Sequence, residues 1–83
     1  GSDELKGRTY VVTGDLNHFA NRNALTEYIE QRGGKVAGSV SGKTTALINN
    51  DVTSNSGKNK KAKELGIRIM TEEELLEETG NAD

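Results

Sequence analysis

Short β-branched runs alternate with helix-forming segments along this chain, and that alternation limits its possible folds more than any other feature. Four runs have the apolar, β-branched character of strands: residues 9–13, 35–40, 45–48 and 67–70. Three segments have helical character: residues 21–32, residues 58–65, and a last one that begins near residue 71. The order β-α-β-β-α-β-α predicts an α/β fold, in which a mostly parallel sheet is flanked by three helices.

The ends of two helices carry recognisable signals. Asn21 is a favoured N-cap residue for the first helix, and Gly33 suits the left-handed conformation that ends many helices. Thr71 followed three residues later by Glu74 matches a capping box for the last helix. The glutamates at residues 72–74 are interpreted as first-turn charges that interact favourably with the helix dipole. Leu75 and Leu76 are then expected in the core.

Length and composition exclude several classes of protein. The 83 residues suffice for one domain, expected at residues 5–78, with residues 1–4 as a tag or linker and residues 79–83 as a frayed tail. There is no Cys and only 1 His, so neither a disulfide framework nor a metal site is expected. No apolar run approaches the roughly 18 residues of a membrane helix, so a soluble, cytoplasmic chain is expected.

Charge is distributed unevenly although the formal net charge is only −2. Residues 58–68 contain five bases and one acid, whereas the chain from Glu72 onward contains six acids and no base. A local cluster of bases can bind phosphate even on an acidic chain. The same bases can equally form a solvated helix face, and composition leaves both interpretations open.

No motif in the chain indicates catalysis. The glycines at Gly38 and Gly42 are separated by three residues, one fewer than a P-loop requires, and a strand rather than a helix follows. The single His18 lies in a polar loop and is expected on the surface. No nucleophile, base and acid are combined in a pattern that suggests a triad. The chain is therefore expected to have no catalytic residues.

An ordered set of short motifs resembles one known family. The set covers residues 5–78: Thr13-Gly14, Gly33-Gly34-Lys35-Val36, Ser41-Gly42-Lys43-Thr44-Thr45-x-Leu47, Ser56-Gly57-Lys58, Lys61-Ala62, Leu65-Gly66-Ile67 and Glu73-Glu74-Leu75-Leu76. Together they resemble the BRCT domain, in particular the subgroup found in bacterial NAD-dependent DNA ligases and in the large subunit of eukaryotic replication factor C. The resemblance implies a four-stranded parallel sheet of order 2-1-3-4, with helices one and three on one face. Many BRCT domains have a Trp in the third helix, whereas this chain, like the ligase subgroup, has none.

The resemblance also implies a phosphate site. The matching residues are Thr13 and Gly14 after the first strand and Lys58 at the start of the second helix. Arg22 corresponds to an arginine that the clamp-loader relative uses for a DNA 5′-phosphate, displaced by about one residue, and Lys60 extends the site along the DNA backbone. The alternative is that Thr13 and Gly14 merely end a strand, while Lys58 is solvated.

The function implied by the resemblance is that of a non-catalytic DNA-binding module of an NAD-dependent DNA ligase. Its expected partners are nicked or 5′-phosphorylated duplex DNA and the other domains of the parent protein. No cofactor is expected in this domain, and a monomer is expected. The alternative is a protein–protein interaction BRCT domain of another DNA replication or repair protein.

Overall fold

The computed structural model describes residues 3–80 and contains the seven elements that the sequence predicts, in the same order. They are β1 (Thr9–Val12), α1 (Arg22–Glu30), β2 (Lys35–Ala37), β3 (Ala46–Ile48), α2 (Gly57–Glu64), β4 (Arg68–Met70) and α3 (Glu72–Glu78). Across residues 3–80 the strands form one four-stranded sheet of order β2-β1-β3-β4, and every pairing is parallel. The predicted α/β fold and strand order are confirmed.

The strand register places β1 and β3 at the centre of the sheet. Val11 pairs with Ala37 of β2 on one side and with Leu47 of β3 on the other. Both Val11 and Leu47 are completely buried. Central strands of a parallel sheet are covered on both faces, which explains why these runs are continuously apolar.

β2 is shorter than predicted. The sequence predicts a strand from residue 35 to residue 40, but β2 ends at Ala37. The chain must leave β2 there because the next strand lies on the far side of β1. Val40 is still buried, so its apolar character reflects packing under the crossover rather than strand pairing.

The three helices divide between the two faces of the sheet. The cluster that contains Leu25 and Ile29 of α1 also contains Leu75 of α3, so these two helices cover the same face. Ala62 of α2 packs with Val11 and Leu47 on the opposite face. Leu75 is completely buried, whereas the neighbouring Leu76 is only half-buried.

The predicted helix ends are confirmed in detail. The Asn21 side chain accepts a hydrogen bond from the Ala24 N–H at 2.9 Å. Thr71 and Glu74 form the reciprocal bonds of a capping box, at 3.1 and 2.9 Å. Gly33 adopts φ +90°, a conformation that side chains disfavour.

The end of α3 is well anchored. Thr79, which the predicted bounds assign to the tail, is buried and its hydroxyl is hydrogen-bonded to the hydroxyl of Tyr28. The predicted bounds of residues 1–4, 5–78 and 79–83 themselves stay a prediction. Among residues 3–80, no helix has both the length and the apolar character that crossing a membrane requires.

Candidate functional site

Three loops meet at the carboxyl edge of the sheet. They are the β1–α1 loop (residues 13–21), the β3–α2 loop (residues 49–56) and the short β4–α3 connection at Thr71. Parallel strands bring these loops together, and ligands of open α/β sheets commonly bind at this edge. Two neighbouring pockets open here, and they share Thr13, Gly14 and Asp15.

The first pocket, called the α1 pocket, lies between the end of β1 and the start of α1. It encloses about 350 Å³, and Asn21 and Arg22 line it together with Thr13 and Gly14. The first N–H groups of a helix have no acceptor within the helix and carry partial positive charge. The α1 pocket therefore combines a hydroxyl, a helix N-terminus and a guanidinium group, which are groups that interact favourably with an anion.

The second pocket, called the α2 pocket, lies between the end of β1 and the start of α2. It encloses about 400 Å³, and Asn49, Asp51 and Ser56 are among its lining residues. Among the residues of the described chain that line it, Asp15 and Asp51 are carboxylates and none is Lys or Arg. Two carboxylates without a base disfavour phosphate in the α2 pocket.

The predicted site residues are only partly brought together. Thr13, Gly14 and Arg22 line one pocket. Lys58 instead lines a separate depression of about 270 Å³ with Val40, and Lys60 is exposed on α2. Successive helix residues are rotated by about 100°, so Lys58 faces a different direction from the N-cap residue of α2. Whether any of the five binds phosphate stays a prediction.

Gly14 is required where the two pockets meet. It adopts φ +79°, and a Cβ atom at this position would lie 2.6 Å from the Asn49 Oδ1. Asn49 is itself buried and accepts a hydrogen bond from the Asp51 N–H at 2.9 Å. The β3–α2 loop therefore packs directly against the backbone of Gly14, and a larger residue would displace it.

A buried amide pair attaches α2 to the sheet. Asn49 donates to the Asn59 Oδ1 at 2.8 Å, and Asn59 is completely buried. Asn59 in turn donates to the Asp51 carbonyl at 3.3 Å. Asn59 was not predicted as a functional residue from the sequence. The available signal was a single Asn among the lysines of a short helix, which is a weak one.

Glu72 has a role that sequence reasoning missed. It does lie in the first turn of α3, as the dipole interpretation requires, but its side chain is completely buried. It accepts hydrogen bonds from the backbone N–H groups of Asn17, His18 and Phe19 and from the side-chain amide of Asn50. A glutamate followed directly by two other glutamates carries no local sign of such burial.

The ionisation of Glu72 reflects two opposing effects. Burial of the carboxyl group opposes ionisation, but the hydrogen bonds from the β1–α1 loop and from Asn50 outweigh it. They hold the pKa of Glu72 below its usual value. Within residues 3–80, no cluster of three or more His, Cys, Asp or Glu side chains suited to a metal ion is present.

The sequence as a whole matches a known family and a set of named relatives. The family model of the BRCA1 C Terminus (BRCT) domain matches residues 2–78. The chain is 61% identical over 77 residues to a DNA ligase of Lachnoclostridium phytofermentans, covering 93% of the chain and 12% of the ligase. It is 56% identical over 72 residues to a DNA ligase of Ruminiclostridium cellulolyticum, covering 87% of the chain and 11% of the ligase.

The chain is also 45% identical over 73 residues to a DNA ligase of Prochlorococcus marinus, covering 88% of the chain and 10% of the ligase. The chain thus spans only about a tenth of the length of these ligases. The family match covers nearly all of the chain, and the sheet order agrees with the one that the motifs implied. The chain belongs to the BRCT domain family.

Proposed function

We propose that this domain is a non-catalytic DNA-binding module of an NAD-dependent DNA ligase, which contacts nicked or 5′-phosphorylated duplex DNA. The similarity to DNA ligases over nearly the whole chain supports the proposal that the parent protein is a DNA ligase. In this proposal the NAD-dependent chemistry resides in other domains of the parent, and this domain needs no cofactor. It acts as a cytoplasmic monomer tethered to those domains.

The observation that carries the proposal is the composition of the α1 pocket. Thr13 contributes a hydroxyl donor, Arg22 contributes a cation with paired N–H donors, and α1 begins at the pocket. Guanidinium groups match the geometry of phosphate oxygens well. A terminal phosphate, which carries more charge and more free oxygens than a backbone phosphodiester, is the ligand that best uses these groups.

Asp15 limits the affinity of the α1 pocket. Its carboxylate lines the pocket and formally cancels the charge of Arg22. The attraction therefore depends on directional hydrogen bonds and on the helix N-terminus, which are modest contributions. We propose weak binding that orients the ligase near a DNA end, with the main affinity supplied by other domains.

The bases of α2 contribute a second, less specific contact. Lys58 lies in a depression apart from Thr13 and Gly14, and Lys60 is exposed, so both are available to phosphates along the backbone. Each phosphate that a base neutralises steepens the dependence of log affinity on log salt concentration by about 0.9. In this proposal Arg22 binds the phosphate at the DNA end, whereas Lys58 and Lys60 contact phosphates along the duplex.

The direct test is an NMR titration of labelled protein with two short duplexes that differ only in a 5′-phosphate. We expect amide shifts at Thr13, Gly14 and Arg22 that require the phosphate. The variant Arg22→Ala should lose these shifts. Lys43→Ala removes the same charge from the turn before β3, and it should keep them.

Lys58→Ala separates the two proposed contacts. It should weaken binding to both duplexes equally and reduce the salt slope by about 1. The absence of shifts at low salt with either duplex would contradict DNA binding by this domain. Shifts that are identical with and without the phosphate would contradict recognition of DNA ends.

A second candidate function is docking of a partner protein, and the acid-lined α2 pocket favours it. Asp15 and Asp51 line that pocket together with neutral amides and hydroxyls, a setting suited to a Lys or Arg side chain. Such an interface would tolerate moderate salt much better than DNA binding does. Retained binding of a partner but not of DNA between low and moderate salt would favour this function.

A further inference from the structure

Three consecutive backbone N–H groups of the β1–α1 loop point toward one site. The N–H groups of Asn17, His18 and Phe19 all donate to the Glu72 carboxylate, the latter two at 3.1 and 3.0 Å. Successive N–H groups arranged in this way form a concave anion-binding site, or nest. In this protein the nest holds an internal anion.

The Glu72 carboxylate connects two loops with the start of α3. One oxygen accepts from Asn17 and Asn50, and the other accepts from His18 and Phe19. Asn50 also donates to the carbonyl of Asp15 at 3.1 Å. The β1–α1 loop, the β3–α2 loop and the start of α3 are therefore held together by one buried carboxylate.

The local sequence of the β1–α1 loop does not set its shape. Residues 15–20 contain neither Gly nor Pro. Within residues 3–80, only glycines adopt positive φ, so no unusual backbone conformation fixes this stretch. The loop nevertheless begins at Thr13 and ends just before Arg22, so its path sets how these two residues face each other across the α1 pocket.

We propose that Glu72 is a positioning residue for the α1 pocket: its carboxylate fills the nest of the β1–α1 loop and thereby holds Thr13 and Arg22 in place to receive a phosphate group. This inference rests on the proposed function, since it assigns a ligand to the same pocket. Glu72 itself is buried and is not among the residues that line the α1 pocket.

Charge and positioning predict opposite effects of removing Glu72. Its carboxylate is negative, so simple electrostatics predicts that its loss strengthens DNA binding. Positioning predicts that its loss weakens the recognition of a terminal phosphate, because the loop no longer holds the pocket open. The sign of the change therefore distinguishes the two roles.

The test measures how Glu72→Gln and Glu73→Gln bind the two duplexes described above, one with and one without a 5′-phosphate. Gln keeps the size of Glu but places an NH₂ group against N–H donors, so one half of the nest loses its acceptor. Glu73 is exposed on the same helix, so its variant removes the same charge without touching the loop. We expect Glu72→Gln to lose the preference for the phosphorylated duplex and Glu73→Gln to keep or increase affinity.

Hydrogen exchange in the free protein tests the same inference without DNA. The amides of His18 and Phe19 should exchange faster in Glu72→Gln, while those of Val11 and Leu47 in the central strands stay protected. In Glu72→Ala, added formate should restore the slow exchange by refilling the nest, and chloride at the same ionic strength should not. Rescue by formate would show that a carboxylate in the nest holds the loop. The preference for the phosphorylated duplex is the readout that a merely structural role would not change.

The outcomes separate this inference from the proposed function. Faster loop exchange with an unchanged phosphate preference would overturn the positioning role and leave the function standing. If the wild type shows no phosphate preference, the proposed function fails. In that case, loop exchange and its rescue by formate decide whether Glu72 holds the pocket. Unchanged exchange in Glu72→Gln would overturn the inference in either case.

A milder variant covers the case in which Glu72→Gln does not fold. Asn50→Ala removes the bonds that Asn50 donates to Glu72 and Asp15 and the bond that it accepts from the Glu72 N–H, but it leaves the three backbone bonds in the nest. We expect faster exchange at the loop amides and a reduced phosphate preference on an intact sheet. Wild-type exchange and preference in this variant would overturn the inference.

Discussion

The two faces of the sheet are built in different ways. On the α1–α3 face, the described residues form a cluster of nine buried apolar side chains, which includes Leu25, Ile29 and Leu75. On the α2 face, the corresponding described cluster has four members, which include Leu47 and Ala62. The α2 face instead buries the amide pair Asn49–Asn59.

This difference separates two sources of stability. Apolar burial is non-directional and scales with area, so the α1–α3 face supplies most of the hydrophobic free energy. The α2 face depends on directional hydrogen bonds, whose net contribution is smaller but whose loss is costly when a partner is left buried. We therefore expect α2 to open more readily than α1, and the α1 pocket to be the more rigid of the two pockets.

The largest expected effect is a loss of packing on the α1–α3 face. Ile29→Ala should lower the free energy of unfolding by about 2–5 kcal/mol, because Ile29 is completely buried. Ala62→Gly on the α2 face should cost about 1 kcal/mol, mostly through helix propensity. Urea denaturation of both variants measures the contrast. Equal costs would contradict the difference between the faces.

Removing half of the amide pair should selectively loosen the α2 face. Asn59→Ala leaves the Asn49 side chain buried without its acceptor and should cost about 1–3 kcal/mol. Asn55→Ala, in the exposed loop before α2, should cost almost nothing. Hydrogen exchange should accelerate in α2 and remain slow in α1. Uniform acceleration across both helices would show that the two faces are not separable.

Gly14 lies where the two pockets meet at the carboxyl edge. Gly14→Ala should cost about 1–2 kcal/mol, because φ +79° disfavours a side chain and the Cβ atom would meet the Asn49 Oδ1. Gly42→Ala is a matched control, since a Cβ atom there has no neighbour within 4 Å. Thermal unfolding of the two variants tests this expectation. Similar melting temperatures for both variants would contradict the close packing of Asn49 against Gly14.

Acidification should loosen the α1–α3 face before the α2 face. At neutral pH the carboxylates concerned are fully ionised, so no loosening is expected there. Hydrogen bonds keep the pKa of Glu72 below its ordinary value near 4.5 despite burial, and the Thr71 N–H similarly lowers the pKa of Glu74. A lowered folded-state pKa contributes stability that is complete above the unfolded value and is lost as pH falls toward the folded one. The protection factor of the Phe19 amide should therefore fall below about pH 4.5, before the protection factors in α2 fall.

The variant Glu72→Gln provides the control for that pH dependence. It has no carboxyl group at this position to titrate, so the protection factor of the Phe19 amide should already be low at neutral pH and should change less on acidification. A wild-type loop that stays protected to the same low pH as α2 would contradict the assignment of this stability to Glu72. The exposed pair of Arg68 and Glu74 should contribute little, as surface ion pairs generally do.

Much of the fold was predictable from local patterns. The order of the elements, the N-cap at Asn21, the capping box at Thr71 and the left-handed Gly33 all depend on residues within one or two turns of each other. The end of β2 was not predictable from its own residues. It depends on where the chain must leave the sheet to reach β3, which is a property of the strand order.

The candidate site divides in the same manner. Thr13 and Gly14 were identifiable at the end of an apolar run, and Arg22 at the start of a helix. The sequence did not reveal that Arg22 shares a pocket with them while Lys58 does not, because this depends on the direction in which two helices leave the sheet.

The sequence by itself determined the elements, their order and the family, since periodicity, caps and motifs are local or ordered along the chain. Only the tertiary structure decided which polar side chains are buried. Glu72 binds backbone groups more than 50 residues away, and Asn49 meets Asn59 across the start of α2. A buried polar group is stable only when its partners are present, and those partners are supplied by the fold rather than by neighbouring residues.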